Sequence, residues 1–375
     1  MLKKYRLRDF DFRLVILVLI ASGISIMAVG SANESYVKTQ IIGIAASFVI
    51  MIVISLFDYA WILKFSWIMY IGVVGLLILT TYSPLGDDSG GAQRWINLGP
   101  IRFQPSELAK IVLILFLAQF IMKNKKTLNK LSTLMVAGVL FGIPALLIKE
   151  QPDLSTTLVL VAVFCTLIFV GGLSWRYILT VAGIAIPVLL VFVFLAIQPD
   201  ANLLENHQKE RILAFINPEE YADSTAYQQN NSVIAIASGQ LLGKGYKNNE
   251  VTSVKNGRFI LEPHTDFIFA VIGEELGFRG SVFLIAVLFS IVLECLYVAY
   301  KAKDTAGRLI AAGVAAWIGF QTFFNLGVAT FILPNTGLPL PFISYGLTSI
   351  LCLYMAIGVV LNVKLQQRKN GEVFL

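Results

Sequence analysis

Ten long apolar stretches follow one another along this 375-residue chain. A helix needs about 20 mostly apolar residues to cross the ~30 Å hydrocarbon core of a bilayer. With 57% hydrophobic and only 14% charged residues, the chain has more apolar surface than a soluble fold can bury, and the same composition excludes intrinsic disorder. We therefore predict an all-α polytopic membrane protein, one domain over residues 1–375, with ten transmembrane helices. The predicted spans are 14–31, 37–57, 62–82, 104–122, 132–148, 154–172, 177–197, 280–300, 309–332 and 341–363, and a shorter helix is expected at 263–279.

Lysine and arginine indicate how these spans are oriented. The basic residues concentrate in segments that an even number of spans places on one side, namely 1–13, 123–130, 301–308 and 364–369. By the positive-inside rule this side is cytoplasmic, together with both termini. The outward segments are then 83–103, 149–153, 333–340 and a long extracellular loop, 198–262, between spans seven and eight. The first span follows a basic segment without a convincing cleavage site, so we interpret it as a retained helix.

The cytoplasmic loops are too short for a catalytic domain, and the sequence contains no phosphate-binding glycine motif. The net charge of +6 comes from membrane-flanking residues and does not indicate nucleic-acid binding. Two histidines and the absence of a CxxC or HExxH pattern argue against a metal site. Any chemistry is therefore expected at the outer face.

One cluster of polar residues lies where an outer loop meets the fourth span. Glu107 stands near the predicted helix start, where the helix dipole favours a carboxylate, and Lys110 follows inside an apolar run. Residues three apart share a helix face and can pair. Ionisable groups in a span are costly, which favours a functional interpretation. A capping carboxylate with a lysine that reaches the interface is the alternative.

Three further outer segments combine polar residues with proline or glycine: 149–153, 262–277 and 333–346. The first could be only a turn between helices. In the second, Thr265 could cap a helix that Asp266 begins; the alternative is a functional carboxylate at the membrane–water boundary. The third contains three prolines and cannot form one continuous helix. It fits a re-entrant loop lining a cavity, with a surface turn as the alternative.

Seven motifs cover nearly the whole chain. They are Gly-Ala-Gln-Arg-Trp-Ile (91–96), Gln-Pro-Ser-Glu (104–107) with Lys110, Gln-Pro-Asp (151–153), Gly-Lys-Gly (243–245), His-Thr-Asp-Phe-Ile-Phe-Ala (264–270), Glu-Glu-Leu-Gly (274–277) and Gly-Leu-Pro-Leu-Pro-Phe-Ile-Ser-Tyr-Gly (337–346). In this order they resemble the SEDS family (shape, elongation, division and sporulation), and its RodA-type branch most closely. The chain departs from the usual family pattern at Ser155, Leu261, Leu347 and Thr348, none of which is a candidate catalytic group.

The resemblance implies a peptidoglycan glycosyltransferase that polymerises lipid II at the outer face of the bacterial cytoplasmic membrane, in cell elongation and shape. The acceptor hydroxyl is a poor nucleophile, and a positioned base typically contributes about 10²–10⁴ in rate. By family analogy Asp266 is the candidate base. An α-linked donor that gives a β1→4 product implies one inverting displacement. The residues expected to bind substrate are Arg94, Glu107, Lys110, Asp153, Arg211, Lys244, His264 and Ser344.

Among these, Arg94, Lys110, Arg211 and Lys244 are candidates to neutralise the departing pyrophosphate. Arg94 could instead anchor a loop, and Arg211 and Lys244 could be solvated loop charges. No cofactor is expected to be required. A divalent cation could bridge the pyrophosphate, but Asp87-Asp88 is not the DxD arrangement of nucleotide-sugar enzymes, so no dedicated protein metal site is predicted.

The resemblance also implies partners: a class B penicillin-binding protein with transpeptidase activity and other membrane proteins of the elongation complex, but no nucleic acid. Three alternatives stay open. A lipid-linked precursor flippase or transporter would share the broken helices and buried charges. A division-specific, FtsW-type polymerase would share the motifs. A scaffold that recruits a cell-wall synthase would need the partner surface but not the carboxylate.

Overall fold

The structure, a computed structural model, describes residues 9–83, 86–87, 94–98, 101–177, 179–180, 206–247 and 259–367, together with positions 183, 187, 191, 253 and 257. Most of the predicted seventh span, 177–197, lies outside the described residues, as does the beginning of the long outer loop. The predicted number of ten spans is therefore not established.

The structure gives the bounds of twelve α-helices, and residues 175–177 and 179–180 are also helical. The twelve helices are α1 Phe12–Ala32, α2 Val37–Leu56, α3 Tyr59–Lys64, α4 Ser66–Tyr82, α5 Pro105–Lys123, α6 Leu131–Glu150, α7 Leu154–Val170, α8 Asn206–Ile216, α9 Tyr227–Ser238, α10 Ile268–Lys301, α11 Thr305–Ala329 and α12 Leu347–Leu365. Seven of these described helices are long and apolar enough to cross a membrane: α1, α2 with the short 3-10 turn before it, α5, α6, α10, α11 and α12. Helices α4 and α7 are apolar but shorter, at 17 residues each. The polytopic helical fold class is thus confirmed.

Helices α5, α11 and α12 lie at the centre of the bundle, where most of their residues are buried. Helices α2 and α6 leave large apolar side chains exposed, such as Ile42 and Val139. Apolar side chains on an outer surface are expected where lipid, and not water, is the solvent. Polar side chains that lie inside the bundle must then find partners within the protein.

A small antiparallel sheet covers part of the outer side and adds to the helices that the sequence predicts. Its strands are β1 Gly86–Asp87, β2 Trp95–Leu98 and β3 Ile101–Phe103, in the order β1-β2-β3. The β2–β3 hairpin pairs Ile96 with Phe103 and leads directly into Pro105, the first residue of α5. The sheet therefore fixes the segment that carries Arg94 close to the start of α5.

Helix α10 is broken at Gly277, whose φ of 64° lies in the left-handed region. The Gly-Lys-Gly segment of the outer loop docks at this break. The amides of Lys244 and Gly245 donate to the carbonyls of Glu274 and Glu275, and the amide of Phe278 donates to Gln240. These bonds replace those that the helix loses at the break. The predicted shorter helix and eighth span are thus the two halves of one broken helix.

Candidate active site

Asp266 lies in a turn, residues 262–267, that ends where α10 begins. The Thr265 hydroxyl donates back to the carbonyl of Glu262, and α10 starts at Ile268 without a side-chain cap. The interpretation of Thr265 as a helix cap, with Asp266 as a first-turn carboxylate, is therefore wrong. Asp266 stands two residues before the helix and is half-buried.

The proline-rich segment 333–346 has the irregular backbone that its sequence predicts, and it packs against this turn. A Cβ atom added to Gly337 would lie 3.3 Å from Oδ2 of Asp266. The hydroxyl of Ser344 donates to the carbonyl of Thr265 over 2.6 Å and accepts from the Leu340 amide. The segment is therefore folded over the carboxylate and fixed by Ser344, a buried residue with both bonds inside the protein.

The charges of two arginines lower the pKa of Asp266. Burial raises the pKa of Asp266 from 3.8 to about 6, and the negative charge of Glu262 adds to the rise, whereas Arg94 and Arg211 oppose it. Burial and the charge of Arg94 lower the pKa of Arg211, and Asp266 raises it. Three predicted site residues from separate regions of the sequence thus influence one another electrostatically. A carboxyl with a pKa near neutrality suits a general base.

Arg94 also fixes the loop between α6 and α7. Its Nε donates to the carbonyl of Gln151 over 2.9 Å, and its Nη2 donates to the carbonyl of Pro152. The carboxylate of Asp153 caps α7 by accepting from the Thr156 amide. Arg94 therefore anchors a loop, as the alternative interpretation has it, and this anchoring holds it where its charge reaches Asp266.

Glu107 and Lys110 form the pair that their spacing predicts, with 2.6 Å between Oε1 and Nζ. Lys110 is fully buried, so it does not reach the interface. Its Nζ also donates to Oε1 of Gln321 over 2.9 Å and lies over the Trp317 ring. Gln321 in turn donates to the carbonyl of Pro339. Through Gln321, the pair therefore helps to hold the proline-rich segment in place.

His264 is buried in an aromatic stack. Its ring lies 4.6 Å from that of Tyr36 and 5.7 Å from that of Tyr345, and its carbonyl accepts from the Tyr345 amide. Burial lowers the pKa of His264, against the charge of Glu262, so the ring is neutral near pH 7. Within the described part of the chain, Nδ1 has no hydrogen-bond partner. The stack joins the start of the turn to the end of the proline-rich segment.

Lys244 lies elsewhere. Its Nζ forms an ion pair with Glu274, 3.0 Å away, on the second turn of the helix that follows Asp266. Glu275 accepts a hydrogen bond from Ser31. The Gly-Lys-Gly and Glu-Glu-Leu-Gly motifs thus meet each other at the helix break and not at the carboxylate.

The sequence interpretation missed two buried amides on α11, Gln321 and Asn325. Nδ2 of Asn325 donates to the carbonyls of Asp266 and Leu338, each over 2.7 Å. Gln321 holds the next residue of the same segment. The signal was present in the sequence, because two amides four residues apart in an apolar span share a helix face and need partners there.

No group of histidine, cysteine or acidic residues that could hold a metal occurs among the residues that the structure describes. Whether a divalent cation accompanies the substrate is a separate matter and stays a prediction.

A bundle of apolar helices with a polar, partly buried site near one end defines a multi-pass membrane protein. Residues 10–369 match the FtsW/RodA/SpoVE family, described as cell cycle proteins. The chain is 33% identical to the peptidoglycan glycosyltransferase MrdB of Escherichia coli K12, over 93% of this chain and 91% of that protein. It is 34% identical to a probable peptidoglycan glycosyltransferase FtsW of Geobacter sulfurreducens, over 92% and 90%.

Solved structures of two similar proteins have the same fold. A chain of a peptidoglycan synthase complex that coordinates polymerization and crosslinking has a TM-score of 0.79 and 28% identity, over 95% of this chain and 97% of that one. The rod shape determining protein RodA of Thermus thermophilus has a TM-score of 0.70 and 25% identity, over 96% and 98%. The chain therefore belongs to the FtsW/RodA/SpoVE family. It is a multi-pass protein of the bacterial cytoplasmic membrane and a glycosyltransferase.

Proposed function

We propose that this protein polymerises lipid II into β1→4 glycan strands at the outer face of the membrane, with Asp266 as the general base. The observation that carries the proposal is the surrounding of Asp266. Its carboxylate lies against Gly337 of the proline-rich segment, the charges of two arginines act on it, and burial brings its pKa to about 6. Near pH 7 it is therefore mostly ionised, yet basic enough to accept a proton.

The reaction uses one displacement. As the 4-hydroxyl oxygen of the acceptor GlcNAc attacks the anomeric carbon of the donor MurNAc, its proton passes to Asp266. The bond from that carbon to the pyrophosphate oxygen breaks on the opposite face, and the configuration inverts. The proton then leaves Asp266 for water, which restores the base.

Cations near the carboxylate support the departure of the pyrophosphate. Arg94 and Arg211 are the two whose charges act on Asp266, and arginine can hold phosphate oxygens with two parallel hydrogen bonds. Because Nε and Nη2 of Arg94 already bind loop carbonyls, Arg211 is the more available of the two. We assign Lys110 and Glu107 the task of holding the segment that covers the site, and Asp153 that of fixing α7.

The proposed partner is a class B penicillin-binding protein, whose transpeptidase would cross-link the new strand. The likeness to a chain from a complex that coordinates polymerization and crosslinking supports this assignment. We further propose the elongation role. The test is depletion in the source bacterium, for which round cells are expected, whereas filaments would indicate the division role.

The main rival is a flippase, and reconstitution separates the two. Purified protein with the partner and fluorescent lipid II should give glycan polymer, and Asp266→Asn should give none. Asp223→Asn makes the same chemical change at an exposed position of the outer loop and serves as the matched control. Lipid translocation in vesicles without polymer from the wild type would favour the flippase, and unchanged polymer from Asp266→Asn would remove the base assignment.

A further inference from the structure

Asn325 ties together the two segments that form the site. We propose that Asn325 is a positioning residue for Asp266, because its one amide nitrogen binds the backbone of the carboxylate-bearing turn and the proline-rich segment that covers it. The inference rests on the proposed function and extends it to a residue on a different helix, outside the motifs that the sequence offers.

Each of the two hydrogens on the Asn325 amide nitrogen makes one hydrogen bond. Nδ2 carries two hydrogens, and it lies 2.7 Å from the carbonyl oxygen of Asp266 and 2.7 Å from that of Leu338. Both neighbours are carbonyls, which only accept, so the nitrogen and not the oxygen must face them. Oδ1 is buried and has no hydrogen-bond partner within the described part of the chain. The side chain therefore holds both segments although its buried oxygen is left without a partner there, which costs free energy.

Two other hydrogen bonds join the turn to the proline-rich segment, but neither reaches Asp266 itself: the Ser344 hydroxyl donates to Thr265, and the Tyr345 amide donates to His264. Gln321, one helical turn earlier, donates to Pro339 and so holds the proline-rich segment alone. Only Asn325, of the described side chains, bonds to the Asp266 carbonyl. Since Gly337 faces Oδ2 of Asp266, the distance between the two segments fixes how deeply the carboxylate is buried.

Removing the amide should let the two segments separate and admit water to the carboxylate. A displacement of about 1 Å in a positioned group can cost about 10²-fold in rate. We expect Asn325→Leu, which has a similar shape but neither donors nor charge, to lower kcat about 10–100-fold while KM changes less than about threefold. Hydration would also lower the pKa of Asp266 from about 6 toward 3.8, so the acid side of the pH–rate profile should move to lower pH.

The experiment measures kcat, KM and the pH–rate profile for the full chain with its partner and lipid II. Asn325→Gln keeps the amide donor and should restore part of the loss. The control is Asn362→Leu, because Asn362 is also a fully buried amide, but its bonds are to Ser55, Tyr59 and Gln366 at the other end of the bundle. It should lower thermal stability without moving the acid limb.

Equal losses in Asn325→Leu and Asn362→Leu with an unmoved acid limb would reduce Asn325 to a structural role and overturn the inference, as would wild-type kinetics in Asn325→Leu. If Asn325→Leu cannot be purified, Asn325→Ala decides, since it also removes both donors: an acid limb displaced to lower pH is expected there, and a wild-type profile contradicts the proposal. The base assignment is judged separately. An active Asp266→Asn ends that assignment, whereas an inactive Asp266→Asn beside an unaffected Asn325 variant ends only the positioning role.

Discussion

At the scale of the residue, the burial that suits the Asp266 carboxylate to act as a base also destabilises the folded protein. Burial raises its pKa from 3.8 to about 6. Because the folded pKa lies above the unfolded value, ionisation opposes folding. This loss of stability is complete above pH about 6 and disappears below about 3.8.

We therefore expect Asp266→Asn to raise the thermal unfolding temperature near neutral pH, since the amide carries no charge to desolvate. The gain over the wild type should shrink as the pH falls through about 6. Thermal unfolding in detergent across this pH range measures it, with Asp223→Asn as the exposed control. A variant that is less stable than the wild type near neutral pH would show that the Asp266 carboxylate stabilises the fold.

The Glu107–Lys110 pair behaves differently, because both side chains are buried and each compensates the other. Removing one partner of a buried pair typically costs about 3–5 kcal/mol of unfolding free energy. We expect such a loss from Lys110→Met alone and a smaller loss from the double variant Glu107→Gln with Lys110→Met. Denaturant unfolding in detergent tests this, and additive losses in the double variant would contradict the coupling.

At the scale of the element, the predicted boundary between 263–279 and 280–300 lies close to the break in α10 at Gly277, but the sequence did not show what holds the break. Hydropathy is local, so the apolar spans could be located, and the Glu107–Lys110 spacing sufficed to predict that pair. The break at Gly277 depends instead on a segment more than thirty residues away, which docks there through Gly243. The approach of Arg94 and Arg211 to Asp266 likewise requires the tertiary fold.

Gly277→Ala tests the break. A Cβ atom at this position would overlap the backbone nitrogen of Gly243, and its φ of +64° is one that side chains rarely adopt. We expect a loss of at least about 1–3 kcal/mol in unfolding free energy. Gly138→Ala is the control, because open space surrounds that helical glycine and alanine favours helix by about 1 kcal/mol. Equal stability of the two variants would mean that the docked segment is not required.

At the scale of the whole molecule, the distribution of basic residues predicts an orientation with Asp266 outside. Single cysteines in a background without Cys165, Cys295 and Cys352 test it. We expect Glu262→Cys, which is exposed beside the carboxylate, to react with a membrane-impermeant maleimide in intact cells. Lys126→Cys, exposed in a basic loop, should react only after lysis. The reverse pattern would place the site against the cytosol.

The most direct measurement is the pH dependence of glycan polymerisation by the purified protein with its partner. We predict that the rate rises with pH through a midpoint of about 6, as Asp266 loses its proton, and that Asp266→Asn makes no polymer at any pH. A substantial rate from Asp266→Asn, with the same midpoint as the wild type, would contradict the assignment of this carboxylate as the base.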